Sequence, residues 1–127
     1  MPDDYTESNK REFFRYRHQT PAHFKEIDKI GHSVSDIAQA ITKNLSACGV
    51  LFTSQYPPRL SSMIILDIDY RTSRICEEIE SRALVSNNRL FGKVVRIEDN
   101  DDGSYDVGVA FIRKSEGLPD DIIALAK

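Results

Sequence analysis

The chain has 127 residues, 40% of them apolar and 29% charged, with a formal net charge of −3. That length supports one domain with a real core, and the composition is that of an ordinary soluble globular protein. The acidic balance argues against a general nucleic-acid binder, and Cys48 and Cys76 are too few for a disulfide framework and fit no zinc spacing.

Residues 1–9 are polar and acidic, and the expectation is a loose, flexible acidic tail ahead of a single domain over 10–127. The N-terminus lacks the positive-then-apolar order of a signal peptide. Residues 9–25 then gather Lys10, Arg11, Arg15, Arg17 and Lys25 against Glu12 alone. So local a patch of positive charge suits a small anionic ligand better than a long polyanion. Phe13, Phe14 and Tyr16 are interleaved with it, to stack on a base or to anchor the segment. Pro21 argues against a helix through this region.

Residues 22–27 read as a short strand. Ser33–Ile41 is ambiguous: Ser33 can cap a short helix, or the segment is a loop feeding a strand, the reading favoured here. Residues 49–54 read as a strand ended by Pro57-Pro58, and Met63–Ile68 as another. Met63-Ile64-Ile65-Leu66 is the longest apolar run, far below the roughly 18 residues of a membrane span. No membrane insertion and cytoplasmic residence, with reduced thiols, are expected.

Residues 70–90 are the least legible. Ile75, Ile79 and Arg82 fit a short helix with Ser73 near its start, and Asn87-Asn88 a turn. The clearest signal follows. Phe91, Lys93, Val95 and Ile97 alternate on one face, Asp99 to Gly103 are turn formers, and Tyr105, Val107, Val109 and Phe111 alternate again. This predicts a β-hairpin, with Gly108 and Ala110 on its other face where an element packs closely. Pro119, Asp120 and Asp121 open a short C-terminal helix. The sum is an all-β, β-rich fold with short helical pieces, suggesting a small barrel.

Two constellations carry chemistry. Arg11 and Arg15 are roughly 13 Å apart in an extended chain and adjacent on a helix, and in either case can converge on one anion. A guanidinium fork binds phosphate oxygens in pairs, and its plane stacks on bases. An exposed basic tail is the plainer reading. In Asn44-Leu45-Ser46-Ala47-Cys48-Gly49, Asn44 and Ser46 offer polar groups at alternate positions, and Gly49 allows a tight turn or close ligand approach. The plainer reading is a turn whose Asn and Ser bond their own backbone.

In order, R-x-x-x-R followed some 30 residues later by [DN]-x-S-x-x-G resembles the PilZ family. Arg11 and Arg15 match the first motif; Asn44, Ser46 and Gly49 match the second. Gly92 to Glu98 and Tyr105 to Phe111 are similar to the family's last hairpin. The resemblance implies a six-stranded antiparallel β-barrel of PilZ type, usually with a C-terminal helix. It implies a bacterial receptor for cyclic di-GMP, often bound as an intercalated dimer, and no enzyme and no cofactor. Arg11 and Arg15 would contact phosphates and stack on guanine. Asn44 and Ser46 would hydrogen-bond base or phosphate, and Gly49 would shape the turn. Lys10 stands where the family often carries another basic residue and adds charge. The expected action is ordering of the N-terminal basic segment and signalling to a downstream protein. The alternative is a PilZ-fold adaptor that binds no nucleotide.

Three departures stand out. Val50 replaces a frequent second glycine, the stretch from Ala22 to Asn44 is long, and residues 70–90 look like a peripheral insertion. His18, His23 and His32 have no ligand spacing, so no metal is expected. Asp67 and Asp69 read as a solvated strand end, and Asp99 to Asp102 lack EF-hand spacing.

Overall fold

A computed structural model describes residues 16–17, 19–27 and 37–126. In chain order they form β1 (Tyr16–Arg17), β2 (Pro21–Ile27), β3 (Ala38–Ser46), β4 (Gly49–Ser54), β5 (Met63–Asp67), α1 (Cys76–Arg82), β6 (Val85–Ser86), β7 (Arg89–Asp99), β8 (Tyr105–Phe111) and α2 (Asp120–Ile123), with a 3-10 turn at Ala124–Ala126. Strands β3-β2-β5-β7-β8-β4 pair antiparallel in that order, and β4 pairs back to β3. The expected six-stranded antiparallel barrel is therefore closed, with a short C-terminal helix. Closure leaves no edge strand within the ring. Of the ambiguous Ser33–Ile41 segment, residues 33–36 lie outside the described residues, and Ala38–Ile41 is the start of β3, as the favoured reading of a segment entering a strand expects, and not helix.

The interior is set by alternation. Val50 and Phe52 on β4, Ile64 and Leu66 on β5, and Val107, Val109 and Phe111 on β8 all point inward and are buried. Phe24 and Phe52 meet there with ring centroids 5.0 Å apart. The predicted hairpin is present, but its first arm is not a simple alternation. The pairing of β7 with β8 shifts between Val94 and Arg96, a β-bulge. Leu90 and Val94 face the interior before it and Ile97 after it, while Lys93 and Val95 are exposed. Reading Phe91, Lys93, Val95 and Ile97 as one face is thus corrected: the extra residue reverses the parity. No other element packs close over Gly108 and Ala110 among the described residues; Ala110 is exposed, and the nearest atom to a Cβ at Gly108 would be Arg96 Cβ.

Residues 70–84 are also reassigned. The expected peripheral insertion is a plug for the barrel. Tyr70, Ile75, Ile79 and Ala83 are buried in the same apolar cluster as the strands that line the interior. Ser73 Oγ bonds the Tyr70 carbonyl at 2.5 Å at the approach to α1. Asn87 and Asn88 both adopt positive φ, 55° and 62°, making the two-residue turn of a β6–β7 hairpin. Outside the barrel a second, smaller cluster of Ile27, Ile65, Phe91, Ile122 and Ala126 seats the C-terminal segment.

Candidate functional site

The polar motif sits at the β3–β4 turn. β3 ends at Ser46 and β4 begins at Gly49, and these two residues are paired. Ser46 Oγ accepts the backbone N–H of Cys48 at 3.3 Å and of Gly49 at 3.1 Å, and donates to the Gly49 carbonyl at 3.3 Å. Ser46 is buried. Of its two sequence readings, bonding to its own backbone is the one its contacts describe: it builds the turn. The turn is tied to β8 as well, because the Phe111 N–H donates to the Cys48 carbonyl at 2.8 Å.

Gly49 has a non-local cause. A Cβ there would collide with the backbone carbonyl oxygen of Val109 on β8. The residue is glycine because two strands approach closely across it, at a backbone angle any residue adopts. Val50 pairs with Leu45 and Val109 and is buried in the interior. The valine that replaces a frequent second glycine therefore fills core and leaves the outer surface of the turn unchanged.

Asn44 is half-buried on β3, directly after a bulge at Lys43. Its neighbour across one edge is Leu51 on β4, and across the other Arg17 on β1. The pairing of Tyr16 with Leu45 and Arg17 with Asn44 lays the end of the basic segment beside the polar motif. Thr20 and Thr42 complete that junction: Thr42 N–H donates to the Thr20 carbonyl at 2.9 Å, and Thr20 N–H to Thr42 Oγ1 at 3.0 Å. Lys10, Arg11 and Arg15 lie outside the described residues.

From Asn44 a row crosses the outer surface in register: Asn44 opposite Leu51, Leu51 opposite Gly108, Gly108 opposite Arg96. A parallel row runs Ser46, Gly49, Ala110, Lys93. Sequence reasoning singled out neither Leu51 nor Arg96, because no local motif marks residues that only strand pairing brings into line with Asn44. One step further along, Asp106 accepts Thr53 Oγ1 at 2.9 Å, Asn100 Nδ2 at 3.0 Å and Lys43 Nζ at 3.1 Å. Burial alone would raise the Asp106 carboxyl, but these hydrogen bonds outweigh it and hold it below the usual carboxylate range. A cleft of about 740 Å³ at one mouth of the barrel, lined by Gln39, Ile41, Ser54, Tyr56 and Asp102 among others, contains none of the motif residues.

The described residues thus form a closed antiparallel barrel with a short strand, Tyr16–Arg17, beside an N-x-S-x-x-G turn. Residues 9–127 match the PilZ domain, and the chain belongs to that family. Family members are cyclic di-GMP-binding receptor and effector modules. No curated protein matches the chain. No helix among the described residues is long and apolar enough to cross a membrane.

Proposed function

We propose that this chain is a bacterial, cytoplasmic cyclic di-GMP receptor, with one domain from about residue 10 to the C-terminus behind an acidic tail. Arg11 and Arg15, aided by Lys10, grip the ligand's phosphates and stack on guanine. Asn44 hydrogen-bonds the base, while Ser46 and Gly49 hold the turn that presents it. Binding orders the basic segment and changes the surface offered to a downstream protein.

The observation that supports this reading is the pairing of β1 with β3. Arg15 immediately precedes Tyr16, and Tyr16 is opposite Leu45, between the two polar motif residues. The covalent chain therefore tethers the arginine motif to the asparagine motif, as one binding site requires. Arginine supplies the right chemistry, since one planar cation satisfies both a phosphate and a purine face.

Titration calorimetry with cyclic di-GMP tests it. Wild type should bind at micromolar ligand, and Arg11→Ala and Arg15→Ala should each weaken binding at least tenfold, the scale of a lost charge-assisted pair. A wild-type chain with no heat of binding at that concentration defeats the proposal.

A further inference from the structure

We propose that the cleft at the mouth of the barrel is where the downstream protein docks, as an extended segment that alternates apolar and basic side chains. The inference rests on the proposed function above only in that a downstream protein exists to be met, and it draws on no residue of either motif.

The cleft exists because two strands part. β3 and β4 are paired only as far as Ile41 and Thr53, and β3 runs on to Ala38 with β2 alone beside it. Among the described residues, no strand lies along the other side of Ala38 to Ala40, and the cleft of about 740 Å³ occupies that wedge. A strand whose side is open in this way is what an extended peptide adds to. The cleft also borders the β1 junction. Thr20 and Thr42 are bonded to each other, and their neighbours Pro21 and Ile41 are paired and line the cleft. Closing the N-terminal segment on nucleotide thereby sets one wall of the cleft, and by linkage each ligand alters the affinity for the other.

The lining states the chemistry of the partner. Ile41 and Tyr56 are large apolar side chains left 58% and 68% exposed. Tyr56 is held through its backbone and not its ring. Ser54 Oγ accepts the Tyr56 N–H at 3.1 Å and donates to the Gln39 carbonyl at 2.7 Å, and Pro57-Pro58 follow directly. An aromatic ring presented on a fixed backbone is ordered before the partner arrives, and tyrosine is a frequent anchor of protein interfaces. Charge then sets the sign of the partner. No lysine or arginine lines the cleft, whereas Asp102 does, with exposed Asp99 and Asp101 in the same β7–β8 connection. Asp102 Oδ1 accepts the Ser104 N–H at 3.0 Å and hydroxyl at 2.6 Å, and no cation among the described residues pairs with it. Complementarity therefore calls for lysine or arginine. Successive side chains of an extended segment point to opposite sides, so alternation sends apolar groups to Ile41 and Tyr56 and basic ones to the aspartates.

The test follows amide chemical shifts of the isotope-labelled chain during titration with a synthetic hexapeptide alternating lysine and leucine, blocked at both ends. A version with glutamate in place of lysine is the control. Shifts should concentrate at Gln39, Ile41, Gln55, Tyr56 and Asp102, and the glutamate version should bind far more weakly. Tyr56→Ala should weaken the lysine peptide roughly tenfold, as loss of an anchor does. Asp102→Asn should weaken it about threefold, the scale of an exposed ion pair. Both side chains are exposed, so both variants should fold. Shifts scattered over the whole surface, equal binding of the two peptides, or wild-type affinity in both Tyr56→Ala and Ile41→Ser overturns the docking site and leaves the nucleotide reading intact. Saturating cyclic di-GMP should change the peptide affinity by about threefold or more. Nucleotide binding with no such change overturns the link between the β1 junction and the cleft. Peptide binding by a chain that takes up no nucleotide keeps the docking site and removes the receptor reading.

Discussion

Gly49 and Ser46 show how one motif serves packing before it serves a ligand. Replacing Gly49 with alanine drives a methyl group into the Val109 carbonyl. We expect a loss of about 1–3 kcal/mol in denaturant unfolding, as for other overpacked positions. Ser46→Ala leaves the N–H groups of Cys48 and Gly49 without the hydroxyl that accepts them, costing about 1–2 kcal/mol by the same measurement. At Glu26, burial alone would raise the carboxyl. Hydrogen bonds from the Arg59 side chain at 2.9 Å and backbone at 3.2 Å outweigh it and hold the group below the usual glutamate range. A carboxyl depressed in the folded state stabilises above its unfolded pKa of about 4.3, and that stability is lost as pH falls through the lower folded value. Glu26→Gln should therefore be less stable at pH 7 by about 1 kcal/mol, a figure kept small because Arg59 is largely exposed. Its midpoint should also fall less steeply than wild type on acidification below about pH 4.

At the scale of elements, α1 is seven residues long and buries Ile79 completely inside the barrel cluster. A helix this short has little stability of its own, so packing must hold it. Ile79→Ala should cost about 2–4 kcal/mol, read from urea unfolding, because the side chain is fully buried in that cluster and its truncation leaves a cavity. The helix was legible in the spacing of Ile75 and Ile79, but its packing against the barrel interior was not, because barely two turns of local sequence do not say what covers them. β1 and β6, two residues each, are below the length at which alternation exists. The β7 bulge is a different failure. Val107, Val109 and Phe111 on β8 were legible because that strand runs without interruption, whereas β7 carries one unpaired residue that counting by twos cannot detect.

Across the whole molecule, the ring of six strands followed from paired motifs and the last hairpin, through family resemblance more than through periodicity. Composition alone reached only a small β-rich domain. The candidate site was legible as residue types at spacings, Asn44, Ser46 and Gly49, yet its geometry depends on partners distant in sequence: β8 behind Gly49, β1 beside Asn44, β7 beyond Gly108. The C-terminal segment is held by a cluster separate from the barrel interior. Ile122→Ala should therefore lower stability by about 2 kcal/mol while leaving cyclic di-GMP affinity within twofold of wild type, a separation that calorimetry and urea unfolding on the same sample would reveal.

The attachment of β1 has one more consequence. The barrel closes through β3, β2, β5, β7, β8 and β4, and β1 merely borders the last turn of β3, where β2 has already ended. Among the described residues, peeling β1 away breaks two residue pairs and leaves every strand of the ring with both neighbours. Such a clasp opens by sub-global exchange, far below the free energy of unfolding, so amide protons at Arg17 and Leu45 should exchange faster than those of β8. A fastener that releases without disturbing the vessel allows an input to be read many times over by one folded molecule.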